Sequence, residues 1–176
     1  HLSASQAKAL AFKIGMDALH EDRQLTPSKR GHTLRVKVKD GALQGVARYK
    51  MDTDGQVAIE EGQLAITDAS WATLYLSAAT NYKSYNDVTG DPASIVAKTL
   101  AQLEGQSYAD LKQRHLEDYR AFYDRFHINL GDNGRSKQST DQRIYDFWKD
   151  PNDPQLVALY VQYARYLLLA SSRPGT

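Results

Sequence analysis

The stretch WATLYLSAATNYKSYNDVTGDPASIVAKTL, residues 71–100, changes its hydrophobic period partway along. From Trp71 to Ala79 the pattern repeats every two residues. Leu74, Leu76 and Ala78 share one face, and Trp71, Thr73 and Tyr75 share the other. This predicts a strand covered on both faces, and so a central one. Asn81 to Gly90 is a polar connection containing Asn86-Asp87 and Thr89-Gly90. Asp91 before Pro92 then gives a helix start, an acidic N-cap followed by proline at the first helical position. Ile95, Val96, Thr99, Leu100 and Leu103 follow helical spacing, and Gly105 ends the run. Strands before this switch and helices after it place the chain in the α+β class.

Upstream, period-2 alternation dominates. Leu10, Phe12, Ile14 and Met16 share a face; Leu34, Val36 and Val38 alternate with Thr33, Arg35, Lys37 and Lys39. The second pattern predicts a half-solvated strand with its polar and basic residues outward. Asp40-Gly41 and Asp54-Gly55 are turn dipeptides, and Val57, Ile59, Leu64 and Ile66 continue the alternation. The polar stretch His20–Arg30 reads as a loop. About five or six strands joined by polar turns predict a portion of an antiparallel sandwich, too few for a large one.

Downstream, Ser107 is a candidate cap with Asp110 as its acidic partner. Tyr108, Leu111, His115, Tyr119, Phe122 and Phe126 then form one face of a helix. Ile128 to Leu130 reads as a short extended piece before the polar loop 131–139. Ser139 or Thr140 starts a short helix through Trp148. Asp153-Pro154 repeats the capping pair and opens a helix to about Ala170 that is apolar on nearly every side. Such a helix belongs inside a larger protein, so an exposed apolar patch is expected on it here. The openings His1-Leu2-Ser3 and Arg173-Pro174-Gly175-Thr176 both read as cuts rather than natural ends.

Composition narrows the function classes. The chain has 176 residues, 41% hydrophobic and 24% charged, with a net charge of +1. Neither nucleic-acid binding nor a polybasic membrane anchor fits so balanced a charge. Zero cysteines excludes disulfides, thiolate zinc sites and a cysteine nucleophile. The most apolar run, Leu156–Ala170, contains Gln162 and Arg165 and is shorter than the roughly 20 residues a bilayer span needs. No signal peptide is visible.

Few residues point to chemistry. His115 and Asp118 lie one helical turn apart, but packing explains this pair better than metal or acid–base work, and metal-site spacings are absent. Many of the 11 tyrosines fall between 108 and 166. They could stack on sugar rings, but their helical spacing favours packing. No acid pair for glycoside hydrolysis can be chosen, because such a pair is defined by separation in space.

Several segments resemble glycoside hydrolase family 95, the inverting α-L-fucosidases. The run YARYLLLASSRPG, residues 163–175, resembles the family's first barrel helix. LYLSAATN (74–81) resembles the last strand of its N-terminal β-domain, and YNDVTGDP (85–92) the loop into its linker helices. His115-x-x-Asp118-Tyr119-Arg120 and Phe122–Gly131 resemble the second linker helix and the strand after it. Ser139-Thr140-Asp141-Gln142-Arg143 is similar to its Thr-Asp-Glu-Arg segment, with glutamine at position 142.

The resemblance implies three parts. Residues 1–82 would be the later portion of a β-supersandwich. Residues 83–138 would be a helical linker with a short return strand, and residues 139–176 the start of an (α/α)6 catalytic barrel. It implies hydrolysis of terminal α-L-fucose, or α-L-galactose, by the intact parent without metal or organic cofactor. It also implies export to the periplasm or cell exterior. The partners would be a glycan and the remaining segments of the parent chain. The family's catalytic Glu, Asp and Asn-x-Asn groups would lie beyond Thr176, so no catalytic residue is expected here. Arg173 and Thr176 are the positions expected near the sugar. A non-catalytic glycan-binding or scaffold module, and a disaccharide phosphorylase of similar architecture, are the alternatives.

Overall fold

The computed structural model describes residues 1–172. The chain divides into two compact units, His1–Tyr108 and the part from Ala109 onward. The first contains eight strands and one helix: β1 (Leu2–Ser3), β2 (Leu10–Ile14), β3 (Asp22–Thr26), β4 (Thr33–Lys37), β5 (Gln44–Thr53), β6 (Gln56–Glu60), β7 (Gln63–Ala69), β8 (Trp71–Thr80) and α1 (Pro92–Ala101). All pairings are antiparallel, in a five-stranded sheet of order β1-β8-β5-β4-β3 and a three-stranded sheet of order β2-β7-β6. Strands followed by helices make this an α+β chain.

The sheets share one apolar core. Tyr49 and Met51 of β5 meet Leu64, Ile66 and Ala69 of β7, with Leu10, Phe12, Ile14, Met16 and Val57 packed around them. The alternation of β2 therefore marks a genuine inner face. On the opposite face of the large sheet, α1 sets Val96 and Leu100 over Val46, Tyr75 and Ala79. Asp91 caps α1, its carboxylate accepting from the Ala93 and Ser94 amides at 3.1 Å, with Pro92 following. Asn81 fixes the approach to α1. Its side chain accepts from the Gln44 amide at 2.8 Å and donates to the Ala42 and Val88 carbonyls at 2.9 and 2.8 Å.

Four expectations are corrected. Eight strands, rather than five or six, occur among the described residues. The His20–Arg30 stretch is no simple loop: Asp22–Thr26 is the edge strand β3, paired with β4 from Asp22↔Lys37 to Thr26↔Thr33. An edge strand lying over few apolar groups can be polar on both faces, so alternation does not reveal it. β8 is not covered on both faces, because Leu74 and Leu76 remain 43% and 65% exposed. The buried core under the large sheet centres on β5 rather than on β8. Finally, Ile128–Leu130 takes no sheet partner, and among the described residues no strand follows β8.

His32, just ahead of β4, is fully buried beside Tyr49, their ring centroids 5.0 Å apart. Neither ring nitrogen, nor the Tyr49 hydroxyl, has a hydrogen-bond partner among the described residues. Burial lowers the His32 pKa below 6.5 and pushes the Tyr49 hydroxyl up to about 12. Below pH 6.5 the unfolded chain takes up a proton that the folded imidazole resists. Stability is therefore expected to fall as the pH drops from 6.5 toward the folded value, and to be insensitive to this group above it. Denaturant titrations at about pH 7.5 and about pH 5.5 should show this loss, and His32→Leu should flatten it.

Candidate functional site

The second unit holds the segments that resemble a catalytic barrel. Its helices are α2 (Tyr108–Tyr123, whose first residue belongs to the β-unit), α3 (Thr140–Phe147) and α4 (Pro154–Ser171). Asp153 caps α4, accepting from the Leu156 amide at 3.0 Å, with Pro154 at the first helical turn. The same carboxylate takes a two-pronged contact from Arg143 of α3. Nε donates to Oδ2 and Nη2 to Oδ1, both at 2.9 Å. Both residues are buried, and Gln155 adds a further acceptor for Arg143. The Arg143 hydrogen bonds hold the Asp153 carboxyl below the usual carboxylate range, against the opposing effect of burial. Next to this lock, Arg135 pairs with Asp150.

Arg165 performs a second anchoring task. From α4 it donates to the Tyr123 carbonyl at 3.0 Å and the Phe126 carbonyl at 2.8 Å, around the end of α2. Its guanidinium also lies 5.0 Å over the Tyr123 ring and 4.9 Å over that of Phe126. A helix C-terminus leaves carbonyls without intrahelical donors, and a cation there satisfies both the hydrogen bonding and the dipole. What reads in the sequence as an interruption of an apolar run is thus a cap for a neighbouring helix.

Tyr119, Tyr123 and Tyr166 pack on one another as helical spacing predicts, whereas Tyr160 and Tyr163 remain 73% and 56% exposed. Tyr119 stacks on Tyr123 with centroids 4.9 Å apart and meets the edge of Tyr166 at 6.1 Å. His115 is exposed and lies against Tyr119 at 6.2 Å. Among the described residues no group of three or more His, Cys, Asp or Glu side chains is arranged to hold a metal.

Between α3 and α4 runs an apolar groove of about 730 Å³, lined by Ile144, Phe147, Trp148, Leu156, Val157 and Tyr160 among others. Leu156 is buried beneath it. Leu159, Leu167 and Leu168 are exposed, Leu168 by 63%. The expected apolar patch on α4 is therefore present. No described helix is long and apolar enough to cross a membrane.

Carboxylates with displaced pKa values all move one way. Asp132 and Asp141 are lowered first by hydrogen bonds from Ser136 and Ser139, Asp150 by the Asn152 amide, and Asp153 by Arg143. In the β-unit, Asp54 and Asp87 are likewise lowered, first by the Trp71 amide and by Thr89. A general acid at neutral pH needs the opposite displacement. Arg173 and Thr176, the positions expected near the sugar, lie outside the described residues.

Residues 107–176 match the family model described as "Glycosyl hydrolase family 95 catalytic domain", and residues 1–85 match "Glycosyl hydrolase family 65, N-terminal domain". Across 98% of its length the chain is 31% identical to "Alpha-L-fucosidase 2" of Arabidopsis thaliana. The second half of the chain thus resembles glycoside hydrolase family 95. Two fungal relatives, each named "Probable alpha-fucosidase A", are 30% identical: that of Aspergillus oryzae over 81% of the chain and that of Aspergillus niger over 58%. The chain spans 24% of the length of the Arabidopsis relative and 22% of that of Aspergillus oryzae.

Sequence spacing alone does not reveal the Arg143–Asp153 pair or the Arg165 anchor. Asp153 was legible only as a helix cap and Arg143 only as part of a family-like segment. The available signal was the isolated cation in each helix, since a charge within an otherwise packed face needs a partner.

Proposed function

We propose that the chain is a supporting segment of a hydrolase that removes terminal α-L-fucose, or the related α-L-galactose, from glycans with inversion. The alignment with an α-L-fucosidase over 98% of the chain carries this reading. One carboxylic acid would protonate the leaving oxygen while a second carboxylate directs water to the opposite face of the sugar. Neither group belongs to this segment. The lowered pKa values of its displaced carboxylates leave these groups ionised at neutral pH and so unsuited to the general-acid role. The bare apolar face of α4 supports placing residues 139–176 at the start of an (α/α)6 barrel, covered by further helices of the parent. Arg173 and Thr176 would then stand near the sugar, and the parent would work in the periplasm or outside the cell.

The family 95 match over 107–176 favours fucoside hydrolysis over disaccharide phosphorolysis and over a purely non-catalytic module. The test is the stereochemistry of hydrolysis by the intact parent, followed by proton NMR on an aryl α-L-fucoside. The β-anomer of L-fucose should be released first. Release of the α-anomer, or phosphate-dependent release of a sugar phosphate, would overturn the proposal.

A further inference from the structure

The outer face of the large sheet carries a cleft of about 330 Å³, closed on one side by α1. This lies at the small end of the roughly 300–1,000 Å³ typical of ligand pockets. Arg35 and Arg48 stand on its floor. Thr33 pairs with Arg48 and Arg35 with Val46, so the two arginines are diagonal neighbours on adjacent strands. Both are exposed, and together they concentrate positive charge on one side of the cleft, where an anionic group would be attracted. Neither guanidinium has an ion-pair or hydrogen-bond partner among the described residues. The acidic residues of this face stand elsewhere in register, Asp22 opposite Lys37 and Asp52 opposite Thr73. Gln24, Thr26 and Thr33 supply neutral hydrogen-bonding groups beside the arginines, and Ala93 and Ala97 of α1 supply an apolar wall.

We propose that this cleft binds a saccharide unit bearing a carboxylate or sulfate group, at a site separate from the hydrolytic centre. Arginine stays charged at all ordinary pH values and grips such oxyanions through paired N–H donors. The neutral side chains suit sugar hydroxyls, and the apolar wall suits the C–H face of a pyranose ring. The anionic part of the assignment rests on the cleft alone. The saccharide part rests also on the glycan-hydrolase reading.

The test is calorimetric titration of the 176-residue chain with trigalacturonate, with neutral galactotriose and with inorganic sulfate. Trigalacturonate should bind, and both other probes should bind about tenfold more weakly or not at all. The Arg35→Gln/Arg48→Gln variant should lose about tenfold or more in affinity. Lys37→Gln/Lys50→Gln removes equal charge from the same face outside the cleft and should stay within about twofold. Equal loss in both variants, or loss in neither, would overturn the site. Sulfate binding as tightly as trigalacturonate would overturn the saccharide assignment. A hydrolytically inactive parent would sink the proposed function without touching this result. A second measurement avoids any folding defect of the variants. Bound trigalacturonate should protect Arg35 and Arg48 of the wild-type chain from phenylglyoxal while leaving Arg23 and Arg30 reactive; equal labelling of all four would overturn the site.

Discussion

Replacing Arg143 with alanine is expected to destabilise the helical unit by about 3–5 kcal/mol, the cost of leaving a buried carboxylate without its partner. Asp153 is 1% exposed and its two oxygens take Nε and Nη2 of Arg143 at 2.9 Å each. The same carboxylate caps α4, so the substitution strands a charge at the point where α3 and α4 are tied. Asp153→Ala should be comparably harmful, since it removes the cap as well as the pair. The joint variant Arg143→Met/Asp153→Leu should recover part of the loss, because apolar replacement removes both desolvation penalties. Denaturant unfolding followed by helical circular dichroism measures all three. Acid should act on the same lock. The Asp153 pKa is lowered in the folded chain, so its contribution is present above the unfolded value near 3.8 and is lost as pH falls through the folded value.

Gly31→Ala is expected to cost about 2–6 kcal/mol, combining backbone strain with overpacking. Gly31 has a φ of +136°, and a Cβ there would lie 1.9 Å from the Tyr49 carbonyl oxygen. That neighbour is sheet backbone: the Tyr49 amide donates to the His32 carbonyl at 3.1 Å and the Met51 amide to that of Arg30 at 3.0 Å. The turn before β4 is thus laid directly on β5 beside the apolar core, and neither partner can retreat. Gly62→Ala provides the comparison. Its φ is +77° but nothing stands within 4 Å, so only the strain of about 1 kcal/mol should remain. Unfolding midpoints of the two variants should differ accordingly.

The switch from strand to helix was legible because it is local. The period changes between residues 71 and 100, and Asp91-Pro92 and Asp153-Pro154 announce their helices through side chains that reach only three residues. What stayed hidden depends on partners distant in sequence. β3 is polar because it lies at a sheet edge, and Leu74 and Leu76 are exposed because the core gathers over β5. Arg143 meets a carboxylate ten positions away across a loop, and Arg165 meets carbonyls 39 and 42 positions away. Arg35 reads in the sequence as a solvated outward residue, since nothing in a strand pattern shows that a helix closes a cleft beside it. Arg173 and Thr176 carry only the resemblance.

Under the proposed function, these residues would support a fucosidase without supplying its catalysis. The most direct measurement assays the purified 176-residue chain and its intact parent side by side on an aryl α-L-fucoside. Turnover is expected from the parent and none from the chain. Turnover by the chain, or a folded parent inert toward α-L-fucosides and α-L-galactosides alike, would contradict that expectation.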